Sequence, residues 1–305
     1  MTPPAPGAAD RPDILCIGSV LWDVIGRAPA QMRLGSDVPG RISRLPGGVA
    51  MNIAMTLARF GLRPAVLTAI GRDAEGDALV AACAALGVAT AFAYRSDDLP
   101  TDRYMAIEGA NGLIAAIADA HSLEAAGDKI LAPLADGRLG TEAAPWAGPV
   151  ALDGNLTVAL LDRIAASHLF AAADLRVAPA SPGKAERLMP FLRHARATLY
   201  VNLEEAGQLC RSRFDTSRAA AEALVARGAA RVLVTDGAHD ATDARAGAAP
   251  LTHPAREVQV VRVTGAGDAF MAAHVVAEMR GDAPIDALAR AQEAAAAHVA
   301  GETGS

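Results

Sequence analysis

The chain has few cysteines, few aromatic residues and no long apolar run, and each shortage excludes a class of protein. Cysteine occurs at three of the 305 positions, Cys16, Cys83 and Cys210, and no Cys–His spacing of the zinc-binding kind is present. An odd and sparse set of cysteines predicts reduced, buried thiols in a cytoplasmic protein. No apolar run reaches the roughly 20 residues that cross a membrane, so no membrane partner is expected.

The chain also has fewer basic than acidic residues. The chain carries 28 Lys and Arg residues against 34 Asp and Glu residues, for a formal net charge of -6, and the basic residues form no block. This balance argues against a nucleic-acid partner, because such proteins neutralise phosphates with basic residues. Only 4% of the residues are aromatic whereas 52% are hydrophobic, which predicts a large core built mainly of Ala, Val, Leu and Ile.

The order of the apolar segments predicts an α/β fold. Short apolar strands alternate with helical patterns of about 10–15 residues, as in βαβ units around a parallel sheet. Residues 31–45 and 91–117 break this rhythm and predict a small inserted β element that would serve as a lid. The Pro- and Ala-rich residues 1–12 are expected to form a disordered tail rather than a secretory signal, and residues 13–305 are expected to form the core.

A glycine-rich turn near the C-terminus is the most informative segment. Residues 264–270 read Thr-Gly-Ala-Gly-Asp-Ala-Phe and lie between an apolar run, 258–263, interpreted as a strand, and an Ala-rich helical pattern. Such a turn leaves backbone N–H groups unpaired at a helix N-terminus, which binds anions. The carboxylate of Asp268 would repel a phosphate unless it accepts a proton from a hydroxyl that attacks that phosphate. From these residues alone, an ordinary helix-start acid is the alternative.

Two further motifs connect this turn to a known family. Gly47-Gly48 is followed by Val-Ala-Met-Asn52-Ile-Ala, and a later apolar segment ends in Asn202-Leu-Glu-Glu205. With residues 264–270, these motifs resemble the signatures of the ribokinase-like (phosphofructokinase-B) family of sugar and nucleoside kinases, in order and in spacing. The resemblance implies a three-layer α/β/α core with a mostly parallel central sheet and a small inserted β lid. It also implies a phosphotransferase that uses ATP and Mg²⁺ and has an alcohol group as acceptor.

The resemblance also implies a role for each matched residue. It makes Asp268 the catalytic base and the N–H groups of Gly265, Ala266 and Gly267 an anion hole. The residues matched to substrate binding are Asp23, Gly47, Gly48, Asn52, Tyr104 and Asp119. Those matched to nucleotide binding are Asn202, Thr235, Gly237 and Thr264, and Asn202 with Glu205 would position Mg²⁺. Each of these roles has a structural alternative. Asp23 and Asn52 could be capping residues, and Glu205 could be a solvated acid at a helix start. Tyr104 and Asp119 could serve in sheet packing or in a capped turn.

Other similarities, less specific than these signatures, indicate one branch of the family. The segments 46–54, 101–119, 152–156 and 178–185 resemble the pseudouridine kinase branch, which implies phosphorylation of pseudouridine to pseudouridine 5′-phosphate. A free-sugar kinase of the ribose or fructose type and a catalytically weak nucleoside-binding relative stay open. The resemblance also suggests a homodimer that pairs through the lid.

Three positions depart from the pattern of the relatives. Arg262 stands where the family usually has an Asp that helps to form a monovalent-cation site, so activation by K⁺ stays open. Met51 and Ala178 stand where the pseudouridine branch often has Arg and Asp. These departures affect the expected substrate and cation more than the expected reaction, because Asp268 and the glycines of the turn are present.

Overall fold

A central sheet of eight strands organises the protein in the computed structural model, which describes residues 11–33, 35 and 37–302. The strands are β1 (Ile14–Ile17), β2 (Leu21–Arg27), β3 (Arg41–Gly47), β4 (Pro64–Leu67), β5 (Ala69–Gly71), β6 (Tyr94–Ser96), β7 (Arg103–Gly109), β8 (Gly112–Asp119), β9 (Pro149–Asp153), β10 (Asp174–Ala178), β11 (Ala197–Asn202), β12 (Arg231–Thr235), β13 (Ala241–Arg245) and β14 (Leu251–His253). The central sheet runs in the order β14-β13-β12-β11-β10-β9-β1-β4. Strands from β4 to β12 in this order are parallel, and β13 and β14 are antiparallel.

Helices cover both faces of the central sheet. They are α1 (Val49–Arg59), α2 (Ala74–Ala85), α3 (His121–Ala126), α4 (Val158–Ala166), α5 (Leu203–Cys210), α6 (Ser217–Ala226), α7 (Ala266–Met279) and α8 (Pro284–Val299). The 3₁₀ segments are Gly127–Leu134, His168–Phe170 and Pro182–Phe191. One apolar cluster joins the sheet to α3, α4, α5 and α6, and a second joins it to α1, α2, α7 and α8. The predicted three-layer α/β/α architecture is therefore confirmed.

A second sheet of four strands is inserted in the first half of the chain. Its order is β3-β2-β7-β8, with β2 and β7 parallel and the other pairs antiparallel. It begins at Leu21, ten residues before the expected segment 31–45, and it ends at Asp119. Residues 91–102 do not contribute a strand to it, because Tyr94–Ser96 pairs with Ala69–Gly71 instead. We refer to this element as the small sheet.

One predicted strand is wrong. The apolar run 258–263 lacks regular structure, and Val260, Val261 and Val263 are largely exposed. A β-branched run favours a strand, but β14 is already the last strand on this side of the sheet. The segment is held instead by helix α8, because the N–H groups of Val261 and Arg262 both donate to the carbonyl of Val299.

The described chain begins at Arg11, close to the core. The expected disordered tail, 1–12, lies outside the described residues except for Arg11 and Pro12. Pro12 is buried, and the guanidinium of Arg11 lies 4.8 Å from the centre of the Trp146 ring. Among the helices that the structure describes, none is both long and apolar enough to cross a membrane.

Candidate active site

A cleft of about 1330 Å³ lies at the carboxyl ends of the parallel strands. In open α/β sheets, ligands bind at this end because loops and helix N-termini meet there. Its walls contain these residues predicted from sequence: Asn52, Asn202, Glu205, Thr235, Gly237, Thr264, Gly265, Ala266, Gly267 and Asp268. The tertiary structure therefore gathers the predicted catalytic, nucleotide and metal residues, together with one predicted substrate residue, in one cleft.

The glycine-rich turn opens helix α7 at the cleft. Gly265 has φ +89° and ψ -1°, a left-handed conformation that glycine adopts without strain. The N–H of Ala266 donates to the carbonyl of Val263 at 3.1 Å. In the described chain, no acceptor is paired with the N–H groups of Gly265, Gly267 and Asp268. Of the three N–H groups predicted to form the anion hole, those of Gly265 and Gly267 are therefore available to an anion. The N–H of Ala266 is already hydrogen-bonded within the turn.

Asp268 lies on the third residue of α7 and faces helix α1. The amide nitrogen Nδ2 of Asn52 donates to Oδ2 of Asp268 at 3.0 Å. Burial of the carboxyl group raises the pKa of Asp268 to about 7, opposed by this hydrogen bond and assisted by the negative charges of Asp153 and Glu205. A carboxylate with a pKa near neutrality is well suited to accept a proton from an alcohol.

Asn202 and Glu205 form the N-terminus of α5. Oδ1 of Asn202 accepts from the N–H of Glu205 at 2.9 Å, and Oε2 of Glu205 accepts from the N–H of Asn202 at 2.8 Å. This reciprocal pair is a capping box, which the N-x-x-E spacing predicts. Glu205 is buried, and burial raises its pKa to about 7. The helix-start reading of Glu205 is therefore realised, but in a buried and not a solvated setting.

The donor set of the cleft suits a divalent cation bound mainly through water. Within the described residues, no three His, Cys, Asp or Glu side chains form a ready metal cage. Mg²⁺ does not require one, because it keeps several waters and takes one or two carboxylates plus substrate phosphates. Burial raises the pKa of both Glu205 and Asp268, and a nearby cation would offset that effect.

Thr235 and Gly237 lie beside Asn202 at the ends of neighbouring strands. Thr235 is the last residue of β12 and is paired in register with Asn202, the last residue of β11. Gly237 follows with φ +56° in the turn before β13. The two predicted nucleotide positions thus lie on the wall of the cleft next to the capping box of α5.

The Gly47-Gly48 turn lets three segments approach closely. A Cβ atom on Gly47 would lie 2.0 Å from Oδ2 of Asp23, and one on Gly48 would lie 2.4 Å from the carbonyl of Ser19. Glycine is therefore required sterically at both positions. Burial raises the pKa of Asp23 to about 6, so its carboxyl group is poorly solvated over the backbone of Gly47.

Tyr104 and Asp119, the two remaining predicted substrate residues, lie on opposite faces of the small sheet. Tyr104 is paired in register with Asp23, so their side chains share one face of the sheet. Asp119 follows Ala118, the partner of Tyr104, and therefore lies on the opposite face. Its Oδ1 lies 2.9 Å from Nδ1 of His121 on the surface. The structure thus brings Tyr104 to Asp23 but does not bring Asp119 to them.

A buried polar cluster lies beside the Gly47-Gly48 turn, and its central carboxylate, that of Asp153, has no role assigned from the sequence. The carboxylate of Asp153, at the end of β9, accepts from the N–H and Oγ of Ser19 at 2.8 and 2.5 Å. The hydroxyl of Ser19 accepts from the N–H of Val49 and from Nδ2 of Asn155, each at 3.0 Å. Oδ1 of Asn155 accepts from Nζ of Lys184 at 2.6 Å. The available signal was a carboxylate that ends a buried strand, since such residues meet at one edge of a parallel sheet.

A comparison with protein families identifies one match over most of the chain. Residues 11–304 match the profile of the pfkB family carbohydrate kinases. Among curated proteins, the pseudouridine kinase of Escherichia coli (strain K12) is 37% identical over 67 residues, which are 22% of this chain and 21% of that protein. The chain spans less than two thirds of the length of the curated relatives that it matches.

Solved structures resemble nearly all of the chain. A carbohydrate kinase from Agrobacterium tumefaciens superimposes with a TM-score of 0.76 and 26% identity, over 93% of this chain and 89% of that one. The ribokinase of Arabidopsis thaliana, solved with ribose and ATP, gives a TM-score of 0.74 and 20% identity, over 95% and 93% of the two chains. At 20% identity the second likeness shows the fold alone.

Proposed function

The chain belongs to the pfkB family of carbohydrate kinases, and we propose that it transfers the γ-phosphoryl group of ATP to a hydroxyl of a ribose-bearing small molecule. One observation carries this proposal: Asp268, hydrogen-bonded to Asn52, lies at a helix N-terminus whose unpaired N–H groups face the same cleft. The family agrees with the enzyme class expected from the sequence, a phosphotransferase with an alcohol group as acceptor.

Asp268 performs the proton transfer in this proposal. Its carboxylate accepts the proton of the acceptor hydroxyl as the oxygen attacks the γ-phosphorus and the bond to the β-phosphate oxygen breaks. The N–H groups of Gly265 and Gly267, with the positive end of the α7 dipole, stabilise the negative charge on the transferred group. Asn52 keeps the carboxylate aimed at the hydroxyl through its 3.0 Å hydrogen bond.

Glu205 and Asn202 would hold Mg²⁺ through water, and the cation would neutralise charge on the nucleotide phosphates. The nucleotide lies along the ends of β11 and β12 in this proposal, against Thr235 and Gly237, with its phosphates toward Thr264. The support is their shared position on the wall of the cleft.

The proposed acceptor is pseudouridine, and its product is pseudouridine 5′-phosphate. The support is the 67-residue similarity to the pseudouridine kinase of Escherichia coli. The ribose hydroxyls would contact Asp23, Asn52 and the backbone of Gly47 and Gly48, because carboxylate and amide groups can each bind two adjacent hydroxyls. Tyr104 lies on the same face as Asp23 and would border this subsite.

The experiment compares acceptors directly. Purified protein is given Mg·ATP with pseudouridine, uridine, adenosine, ribose or fructose, and ADP and the phosphorylated product are both quantified. The Asp268→Asn protein, run in parallel, controls for contaminating kinases. Turnover of pseudouridine well above the others supports the proposal. Turnover of ribose or fructose instead would make the chain a free-sugar kinase. Binding of a nucleoside without turnover would support the weak-relative reading.

We also propose a cytoplasmic location and a homodimer that pairs through the small sheet. Cys16, Cys83 and Cys210 are buried and free, as expected in a reducing compartment. The face of the small sheet opposite Asp23 exposes Ile42, with 81% of its surface accessible, and Ile117, with 68%. An exposed apolar sheet face favours covering by a second surface.

A further inference from the structure

His298, in the last turn of α8, lies against the glycine-rich turn. Its Nε2 atom lies 2.8 Å from the carbonyl oxygen of Thr264. The same ring occupies the space that a side chain on Gly265 would need, because a Cβ atom there would lie 3.0 Å from Nε2. The imidazole therefore contacts two consecutive residues of the turn that leads to Asp268.

Arg262 contacts both the backbone and the imidazole ring of His298. Its Nε donates to the carbonyl of His298 at 3.1 Å, and its Nη2 lies 3.5 Å from Nδ1 of His298. A carbonyl can only accept, so Nε2 carries the proton that it donates to Thr264, and Nδ1 is left as the acceptor for Arg262. The guanidinium thus selects the imidazole tautomer that binds the turn.

These residues do not fit the monovalent cation that the family resemblance implies beside the turn. The carbonyl of Thr264 already accepts a hydrogen bond, and position 262 carries a guanidinium where the resemblance implies a carboxylate. A fixed positive charge disfavours a second cation beside it. The same guanidinium lies against the C-terminal end of α8, where a positive charge is favourable.

We propose that His298 is a positioning residue that holds the glycine-rich turn in its anion-binding conformation, with Arg262 orienting it, so that this chain needs no monovalent cation. The proposal rests on the proposed kinase function only for its rate measurements. Because the Thr264 carbonyl and the Gly265 N–H belong to one planar peptide group, fixing the carbonyl through His298 also fixes the direction of that N–H.

Three variants separate positioning from packing. His298→Gln keeps an N–H donor, and His298→Leu keeps volume without a donor. Arg262→Lys keeps the charge but loses the planar group that donates to both the carbonyl and Nδ1. Deuterium exchange of the Ala266 N–H, which is hydrogen-bonded within the turn to the carbonyl of Val263, is followed by NMR without any substrate, in KCl and in choline chloride, together with thermal unfolding of each protein.

The expected pattern has two parts. Wild-type protection of the turn is the same in both salts, and it falls in His298→Leu while His298→Gln keeps most of it. In the rate assay, kcat of wild type agrees within about twofold between the salts. The loss of kcat in His298→Leu is on the order of 10²-fold with KM nearly unchanged, as expected when a group is misplaced by about 1 Å.

Two results would overturn the inference. One is wild-type protection that rises on adding K⁺, and the other is equal loss of protection in His298→Gln and His298→Leu. Because exchange is measured without acceptor or nucleotide, a protein that phosphorylates none of the tested compounds would contradict the proposed function while leaving this test intact.

Discussion

At the scale of single residues, the environment of Asp268 decides what the cleft can do. Among the residues that the structure describes, its carboxylate is paired with an amide and with no guanidinium or ammonium group. Such a pairing orients the group while leaving its pKa near neutrality, where it can both accept and release a proton. In the proposed reaction, the unpaired N–H groups of the same turn would stabilise the negative charge of the transferred phosphoryl group.

Replacing Asp268 by Asn should abolish most of the activity and leave the fold intact. The amide cannot accept the proton, and a general base contributes about 10²–10⁴-fold to rate. Since Asn keeps an oxygen that can accept from Asn52, the contact between α1 and α7 survives. Steady-state kcat and the melting temperature test this expectation, with Asp215→Asn on the rim of the same cleft as the matched control. Activity within threefold of wild type would remove Asp268 from its assigned role.

The pH dependence should reflect the raised pKa of Asp268. Only the ionised carboxylate is a base, so kcat/KM should fall below about pH 7 rather than near pH 4, where an ordinary Asp titrates. Burial raises the pKa of Glu205 to about 7 as well, so both carboxyls ionise over the same pH range. Mg²⁺ should move the acid limb to lower pH, because a cation favours both ionised forms. A limb that ignores Mg²⁺ concentration would contradict this account.

The same raised pKa makes a stability prediction of definite sign. A carboxyl whose pKa is higher in the folded than in the unfolded state stabilises the fold fully below about pH 4 and progressively less up to about pH 7. Above about pH 7 the folded protein holds this carboxyl ionised while it is buried, which lowers the free energy of unfolding. Asp268→Asn removes that cost. The melting temperature of the variant should therefore exceed that of wild type by more at pH 8 than at pH 5. Thermal unfolding without Mg²⁺ measures the difference, and an equal offset at both pH values would contradict it.

At the scale of elements, α7 joins the cleft to a buried ionic network. Glu278, near the end of this helix, pairs with Arg176 of β10 and with Arg231 of β12. Both arginines are buried, and the paired guanidiniums lower the pKa of Glu278 to about 2 against the opposing effect of burial. The network fixes α7 against the middle of the sheet, which in turn fixes the position of Asp268 at the other end of the helix.

Removing the charge of Glu278 should therefore be costly. In Glu278→Gln, the guanidiniums of Arg176 and Arg231 lose a shared carboxylate but keep Asp174 and Asp243 as partners, so the expected loss is about 1.5–3 kcal/mol, the range for a hydrogen bond to a charged group. Urea unfolding measures the loss. Glu293→Gln is the matched control, because its partner Arg256 is exposed and such pairs contribute about 0–1 kcal/mol. A loss for Glu278→Gln no larger than for the control would show that the network contributes little.

At the scale of the whole molecule, the two faces of the small sheet differ in chemical character. One face presents Asp23 and Tyr104 beside the Gly47-Gly48 turn. The other presents Ile42, Met105, Ile107 and Ile117 to solvent. Because side chains alternate along each strand, one sheet can border a polar site and offer an apolar surface at the same time.

The apolar face gives a prediction about assembly. The protein should be a dimer by size-exclusion chromatography with light scattering, and Ile42→Lys with Ile117→Lys should make it monomeric. Lysine on this face would bury unpaired charge between two copies. Val158→Lys, at a half-exposed apolar position on α4, is the control and should leave the dimer unchanged. A wild-type monomer, or a double variant that stays dimeric, would exclude pairing through this face.

Much of the fold could be predicted because its signals are local. Strands β1, β9 and β12 contain short apolar runs. Helix α5 begins with the capping box of Asn202 and Glu205, which the N-x-x-E spacing predicts. The β-branched residues of the run at 258–263 favour a strand, but a strand also needs a partner, and this run pairs with none in the described structure. Strand β2 carries only a weak signal in the sequence, because Trp22 to Gly26 alternates little between apolar and polar residues.

The sequence alone determined the family, the α/β class and the residues of the turn, because glycine spacing, helix caps and apolar period are properties of neighbours along the chain. Tertiary structure decided which of these residues act together. It placed Asn52 on Asp268, packed His298 of α8 beneath a turn more than 30 residues earlier, and put Asp119 on the far face of its sheet from Asp23. Contacts between distant segments depend on how helices and strands pack, and no local pattern specifies them.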